Sequence, residues 1–233
     1  MANVFTMICF GDSVTKGAPY VAAADCFVQL LGRRVNQRLA DTDRRFRCIN
    51  AGVGGENTFE GLARIDADVL QKRPDLVAVE FGLNDIRYEP EKTVTEEQFA
   101  ANLREIIRRI RQARAEVILM TPTPIVNAFH PYALGIDYYD PWGGCDGLNA
   151  IYAGIIRGVA KEEAVDLCDI YGRFIGIAQE AEFRGETPDW RDFKCLGRYI
   201  SVTDGVHPTA AGHEVIGQEL YKLVLNKLQG LGL

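Results

Sequence analysis

Serine occurs twice and histidine three times in this 233-residue chain, so there are few ways to build a Ser–His pair. Ser13 stands in "MICFGDSVTKG" at residues 7–17, where an apolar run stops at Gly11-Asp12. Gly, Asp and Ser are turn residues, so a plain turn accounts for the composition. A hydroxyl held at the end of a buried strand equally suits a nucleophile. The segment "TDGVHPTAAGH" at 203–213 supplies the partner groups. Asp204 and His207 lie three apart, between Gly205 and Pro208. If the chain bends there, the carboxylate accepts from imidazole Nδ1–H and leaves Nε2 for a serine proton. The same residues also read as the start of a helix, with Asp204 only a turn residue.

Two further segments offer hydrogen-bond donors. "NAGVGGENT" at 50–58 contains Gly52, Gly54 and Gly55, so its backbone can approach a ligand closely. The Gly55 N–H, just ahead of a helix start, is a ready oxyanion donor. Neither G-x-G-x-x-G nor the phosphate loop G-x-x-x-x-G-K-[ST] fits here, and the second also fails at "GDSVTKG". "FGLNDI" at 81–86 places Asn84 after an apolar run, where its side-chain amide projects over a strand end. Ser201 lies near the Asp204–His207 turn but has no strand end and no glycine-rich partner loop.

The elements that must position these groups alternate. Apolar runs at 4–10, 46–50, 75–81, 117–122 and 165–170 read as strands. Helical spacing covers 25–39, 58–71, 95–113, 148–164 and 208–228, with Thr95 and Gln98 forming a capping box and Pro208 at a first helical position. Such β-α-β alternation implies a parallel sheet covered on both faces, with ligands at the carboxyl ends of the strands. Ser13, Asn84 and Thr121 all follow apolar runs. No repeat or linker interrupts the chain, which reads as a single domain over 1–233. Two long irregular stretches, 122–147 and about 181–205, are of the length that is usually functional.

A net charge of −6 argues against nucleic acid as a partner, because phosphate binding wants a basic face. No run approaches the roughly 18 apolar residues of a membrane span, and no secretory signal precedes the first strand. The six cysteines are scattered with no C-x-x-C, so neither a metal site nor a disulfide framework is expected; a cytoplasmic location is the simplest setting.

Gly11-Asp12-Ser13, "NAGVGGENT", "GLND" and "DGVHP" occur in one order along the chain, and with them the sequence resembles the SGNH hydrolase family, also called the GDSL esterase/lipase family. The resemblance implies a flavodoxin-like three-layer α/β/α sandwich with a five-stranded parallel sheet. It implies Ser13 as nucleophile, His207 as base and Asp204 as the residue orienting the imidazole. The oxyanion hole would be the Ser13 and Gly55 N–H groups with the Asn84 side-chain amide. No cofactor is needed for that chemistry. No G-x-S-x-G elbow is present, which disfavours a standard α/β-hydrolase.

The substrate is less legible. The insertion at 122–147, placed on the substrate side, carries Phe129, Tyr132, Tyr138, Tyr139 and Trp142 with Asp137 and Asp140. Aromatics interleaved with acids suit a sugar, a loop packed on itself, or an interface in a homo-oligomer. Asp12, His130, Tyr138 and Trp142 are the candidate substrate contacts, although Asp12, like Asp85, also reads as a local brace. His213 reads as structural. The expected function is hydrolysis of a short-chain ester, best an acetyl group on a carbohydrate, through an acyl-serine. Lysophospholipase, acyl thioesterase and general carboxylesterase activities use the same triad. A sugar acyltransferase and a non-catalytic carbohydrate-binding module are the rival readings.

Overall fold

The computed structural model describes residues 3–131 and 135–230. Strands β1 (Asn3–Gly11), β2 (Arg44–Gly52), β3 (Leu76–Glu80), β4 (Glu116–Met120) and β5 (Asp166–Cys168) form one parallel sheet in the order β2-β1-β3-β4-β5. The helices are α1 (Ser13–Lys16), α2 (Phe27–Arg38), α3 (Thr58–Asp68), α4 (Glu96–Gln112), α5 (Cys145–Glu162), α6 (Ile170–Phe183) and α7 (Ala210–Gly230).

From β1 the chain moves one way to β2 and then back across to β3. With right-handed crossovers this puts α2 on one face and α3, α4 and α5 on the other. The packing agrees: α2 lies against α7, and α3, α4 and α5 contact one another in sequence. The layers are those of the flavodoxin-like sandwich. β3 is continuously apolar up to Glu80 because helices cover both its faces, and Leu76, Val77, Ala78 and Val79 are all buried. The reversal of strand order opens a crevice at the carboxyl ends of β1 and β3. Ser13 and Asn84 stand there.

Local signals account for most element starts. Thr95 Oγ1 accepts from Gln98 N at 3.3 Å and Gln98 Oε1 from Thr95 N at 3.1 Å, which closes the expected capping box of α4. Phe99, Leu103, Ile106, Ile107 and Ile110 form its buried stripe. Three expectations need correction. α7 begins at Ala210 rather than Pro208, because Pro208 pairs with Ile200 in an isolated bridge. β5 is only three residues long. The chain then enters α6, which the pattern did not reveal; Gly172 and Gly176 dilute its helical periodicity, and Asp169 caps it by accepting from Gly172 N at 3.0 Å.

A pair of carboxyls lies beneath the strand ends. Glu80, last residue of β3, and Asp12, just after β1, are both buried. Thr15 Oγ1 donates to Glu80 Oε2 at 2.9 Å, while Glu80 Oε1 has no donor among the described residues. Asp12 Oδ1 accepts from Val14 N at 2.9 Å and Oδ2 from Asn84 Nδ2 at 3.1 Å. Burial pushes the Glu80 carboxyl up to about 7. Burial, with the Glu80 charge beside it, pushes Asp12 well above the carboxylate range. A proton on either acid relieves the repulsion between two like charges, so the pair titrates together.

The tail is strapped by backbone to the segment that follows β4. Gly205 O accepts from Val126 N and Gly205 N donates to Ser201 O, each at 2.8 Å. Gly205 has φ +69°, and a Cβ there would fall 2.6 Å from Val126 O and 2.9 Å from His130 N. Only glycine meets both demands.

Two predictions follow from these braces. In the unfolded chain Glu80 ionises near 4.5, whereas the folded protein holds its proton to about 7. The folded state therefore carries the extra proton across that window, and stability falls as pH rises through it. Glu80→Gln keeps a neutral donor, so between pH 5 and 8 the wild-type Tm should drop by ~3–8 °C more than that of the variant, measured by calorimetry. Parallel curves would show that Glu80 is not protonated in the fold. Gly205→Ala should cost about 1–3 kcal/mol in urea unfolding and displace His207; a wild-type midpoint would mean that the turn relaxes freely.

Candidate active site

Asp12 caps the short helix α1, and Ser13 is the first residue of that helix, so the hydroxyl clears the end of β1. Ser13 Oγ lies 3.0 Å from His207 Nε2, and His207 Nδ1 lies 3.1 Å from Asp204 Oδ2. The other carboxylate oxygen, Asp204 Oδ1, accepts from Val206 N at 2.8 Å and His207 N at 2.9 Å. Partial burial works against ionisation of Asp204, but these hydrogen bonds, the imidazole's first, outweigh it and hold the carboxyl below its usual range. An ionised carboxylate only accepts, so the network assigns the proton to Nδ1. The Nε2 lone pair then faces the Ser13 hydroxyl, which donates. The hydroxyl is thus poised to attack and the imidazole to take its proton.

Asn84 follows β3 with its amide braced on Asp12 Oδ2. The second hydrogen of that nitrogen remains for a ligand. The glycine turn after β2 is drawn close to the nucleophile. Val53 N donates to Gly11 O at 3.0 Å, and a Cβ at Gly52 would fall 2.2 Å from Lys16 N. A Cβ at Gly54 would sit 3.7 Å from Ser13 Cβ, while Gly55 adopts φ +80° with open space around it. Arg64 holds the floor of this turn, donating to Gly11 O at 3.0 Å and Ala51 O at 2.8 Å and pairing with Glu56. Asp85 acts as a second brace: it is buried, and its Oδ1 takes Thr58 N at 2.9 Å and Thr58 Oγ1 at 2.6 Å.

Ser13, Asn84 and His207 open into a cavity of about 180 Å³. Leu83, Ile86, Ile125, Tyr139 and Val206 supply its largely apolar walls, and the paired Arg87 and Glu89 also line it. His130 also lines it, with Nδ1 2.9 Å from Asp204 O. Burial lowers the His130 pKa, and because a carbonyl only accepts, Nδ1 is the donor to Asp204 O. The residue is both cavity wall and brace of the Asp204 turn.

Several candidate contacts fall elsewhere. Asp12 is fully buried with both oxygens engaged, so it supports Ser13 and Asn84 instead of meeting substrate. Tyr138 and Trp142 pack on each other, centroids 5.6 Å apart, and neither lines the cavity. The insertion contributes Tyr139 instead, whose hydroxyl donates to Ile86 O at 3.2 Å. Tyr132 lies outside the described residues. His213 is buried, with Nδ1 3.4 Å from Phe27 N, and burial pushes its pKa down to about 4, as suits a structural histidine. Ser201 Oγ accepts from Thr203 N at 3.2 Å and is bonded to no histidine among the described residues.

Two residues at the site escaped the reading of the sequence. Glu80 had a signal, since it is the one carboxylate inside an otherwise apolar run. Tyr20 had none: it lies in a loop, and only the fold stacks its ring on His207, with centroids 3.3 Å apart and planes 7° from parallel.

Comparison with known proteins places this geometry. The profile of the GDSL-like lipase/acylhydrolase family matches residues 9–215. An acetylxylan esterase of Geobacillus stearothermophilus is 25% identical over 179 residues, 74% of this chain and 69% of the relative. An isoamyl acetate-hydrolyzing esterase 1 homolog of Bos taurus is 26% identical over 245 residues, 97% and 83% of the respective chains. The crystal structure of the acetyl xylan esterase AlAXEase superposes with a TM-score of 0.73 at 22% identity, covering 94% of this chain and all of that one, a likeness of fold. With a profile matched over nearly its whole length and esterases among its relatives, the chain belongs to the GDSL-like lipase/acylhydrolase family and is a carboxylic ester hydrolase of the SGNH type.

Proposed function

We propose that the chain hydrolyses short-chain esters, acetyl esters of carbohydrates best, with Ser13, His207 and Asp204 as the catalytic triad. The observation that carries this reading is the unbroken hydrogen-bonded line from Asp204 through His207 to Ser13 at the mouth of a small apolar cavity.

Ser13 Oγ attacks the ester carbonyl while His207 Nε2 takes its proton. The oxyanion is held by the Ser13 and Gly55 N–H groups and the Asn84 amide. As the tetrahedral intermediate collapses, the carbon–oxygen bond breaks and the alkoxide leaves with the proton from His207. Water, deprotonated by the same imidazole, then attacks the acyl-serine and frees the acid. Asp204 keeps the ring in the Nδ1–H tautomer and stabilises the imidazolium.

The cavity argues for a small acyl group. At about 180 Å³ it is below the roughly 300–1,000 Å³ of pockets that enclose drug-sized ligands, so a fatty acyl tail would have to lie outside it. Acetylxylan esterases among the relatives support acetylated sugar as the substrate.

Assay with p-nitrophenyl esters of two to twelve carbons and with acetylated xylo-oligosaccharides tests the reading. Turnover should be greatest for the shortest acyl groups; a maximum at long chains would overturn the acetyl preference. Ser13→Ala should lower kcat by roughly 10⁴-fold or more. Equal background rates for wild type and variant would instead indicate a binding module, and acetylated product formed on an added acceptor sugar a transferase. Asn84→Ala should lower kcat by about 10²–10³-fold with little change in KM; an unchanged kcat would remove Asn84 from the oxyanion hole.

A further inference from the structure

His207 uses its edge for the reaction, but one of its faces is covered by a group that ester hydrolysis does not itself require. Tyr20 stacks on that face and is nonetheless 48% exposed. It belongs to the loop between α1 and α2, and its ring lines a second, open groove of about 500 Å³ together with Asp25, Val202 and Thr203. Val202 is 59% exposed, an unusual degree for valine. Asp25 makes no ion pair or side-chain hydrogen bond among the described residues, so its carboxylate can accept from a ligand. The groove therefore combines an aromatic face, an aliphatic patch, a hydroxyl and an available carboxylate. A hydroxylated ring presents the complement of that set: C–H faces for the tyrosine and valine, O–H donors for the acid.

The position of the groove matters as much as its lining. His207 is part of the wall of the apolar cavity, and Tyr20, stacked on His207, is part of the wall of the groove. The cavity thus opens at the imidazole itself, and the groove lies beyond the Tyr20 ring that covers its face. In ester cleavage the departing oxygen must lie at Nε2 to receive its proton, so the alcohol half of the substrate extends past the imidazole. The acyl half occupies the apolar cavity.

We propose that this groove is the subsite for the leaving alcohol, with Tyr20 as its stacking platform and Asp25 as its hydroxyl acceptor, and that it selects polyhydroxylated alcohols such as a sugar ring. The same stacking makes Tyr20 a positioning residue for His207. The assignment rests on the esterase reading above and names where that substrate binds.

Two acetyl esters that differ only in the alcohol test it: ethyl acetate, too small to reach the groove, and acetylated xylobiose. The ratio of kcat/KM for acetylated xylobiose to that for ethyl acetate should fall by roughly 5- to 50-fold in Asp25→Ala, chiefly through KM of the sugar ester. Tyr20→Ala should lower the same ratio and also reduce kcat on both esters, while Tyr20→Phe should restore both. A ratio unchanged in Asp25→Ala and Tyr20→Ala would overturn the subsite. In parallel, xylobiose is titrated into the Ser13→Ala protein and followed by amide NMR. Shifts centred on Val202 and Thr203 support the proposal; no shifts, or shifts confined elsewhere, overturn it. If the wild type cleaves neither ester, the esterase reading fails, and the titration still decides the groove.

Discussion

The site depends on one contact between parts of the chain 194 residues apart, the 3.0 Å approach of His207 Nε2 to Ser13 Oγ. Neither residue can make it alone. Ser13 is held out by the end of β1 and by the Asp12 cap. His207 is held in by a turn whose backbone is bonded to the 122–130 segment and whose carboxylate, Asp204, spends one oxygen on the turn's own amides. A hydrogen bond of this kind contributes only on the order of 1 kcal/mol to stability. It therefore survives because both ends are fixed before it forms, and the rest of the molecule supplies that fixing.

Much of the fixing is electrostatic and lies underneath. Asp12 and Glu80 are both buried, and burial raises the pKa of each, so the pair need not carry two full charges beneath the strand ends. Thr15 braces Glu80, and Asp12 braces both the start of α1 and the Asn84 amide. The Ser13 turn and the Asn84 amide are thereby tied to the same buried carboxyl, Asp12. Arg64 does the corresponding work at the glycine turn, reaching the ends of β1 and β2 together. The three loops that must converge are thus cross-braced below the surface, which leaves their upper faces for a ligand.

Two unlike spaces lie near the imidazole, one lined by it and the other beyond the Tyr20 ring stacked on it. One is small and mostly apolar, with Arg87 and Glu89 also in its wall; the other is open and mixed in character. An ester is itself an object with two unlike halves joined at the reacting carbon. The partition follows from where the C-terminal turn inserts: between the 84–89 and 125–131 segments on one side and the α1–α2 loop on the other.

The order of strands and helices, the buried stripe of α4 and the identity of the Ser, Asp and His residues were legible in the sequence, because each is written in local spacing or in a short motif. α6 was not, since glycines within it blur the helical period and its cap at Asp169 is supported by Arg157 from α5. The aromatic residues of the 122–147 stretch could be identified as a group, but not which of them would face the cavity; Tyr138 and Tyr139 meet edge to face with centroids 5.0 Å apart, and packing alone puts Tyr139 and not Tyr138 in the wall. Asp12 looked available for substrate because a motif has no depth, whereas the fold buries it. Tyr20 carries no pattern at all. Sequence alone determined which groups could react, for reactivity belongs to side-chain type and local spacing. Only the tertiary structure decided which groups meet and which are buried, because those depend on distances between residues that the chain order leaves far apart.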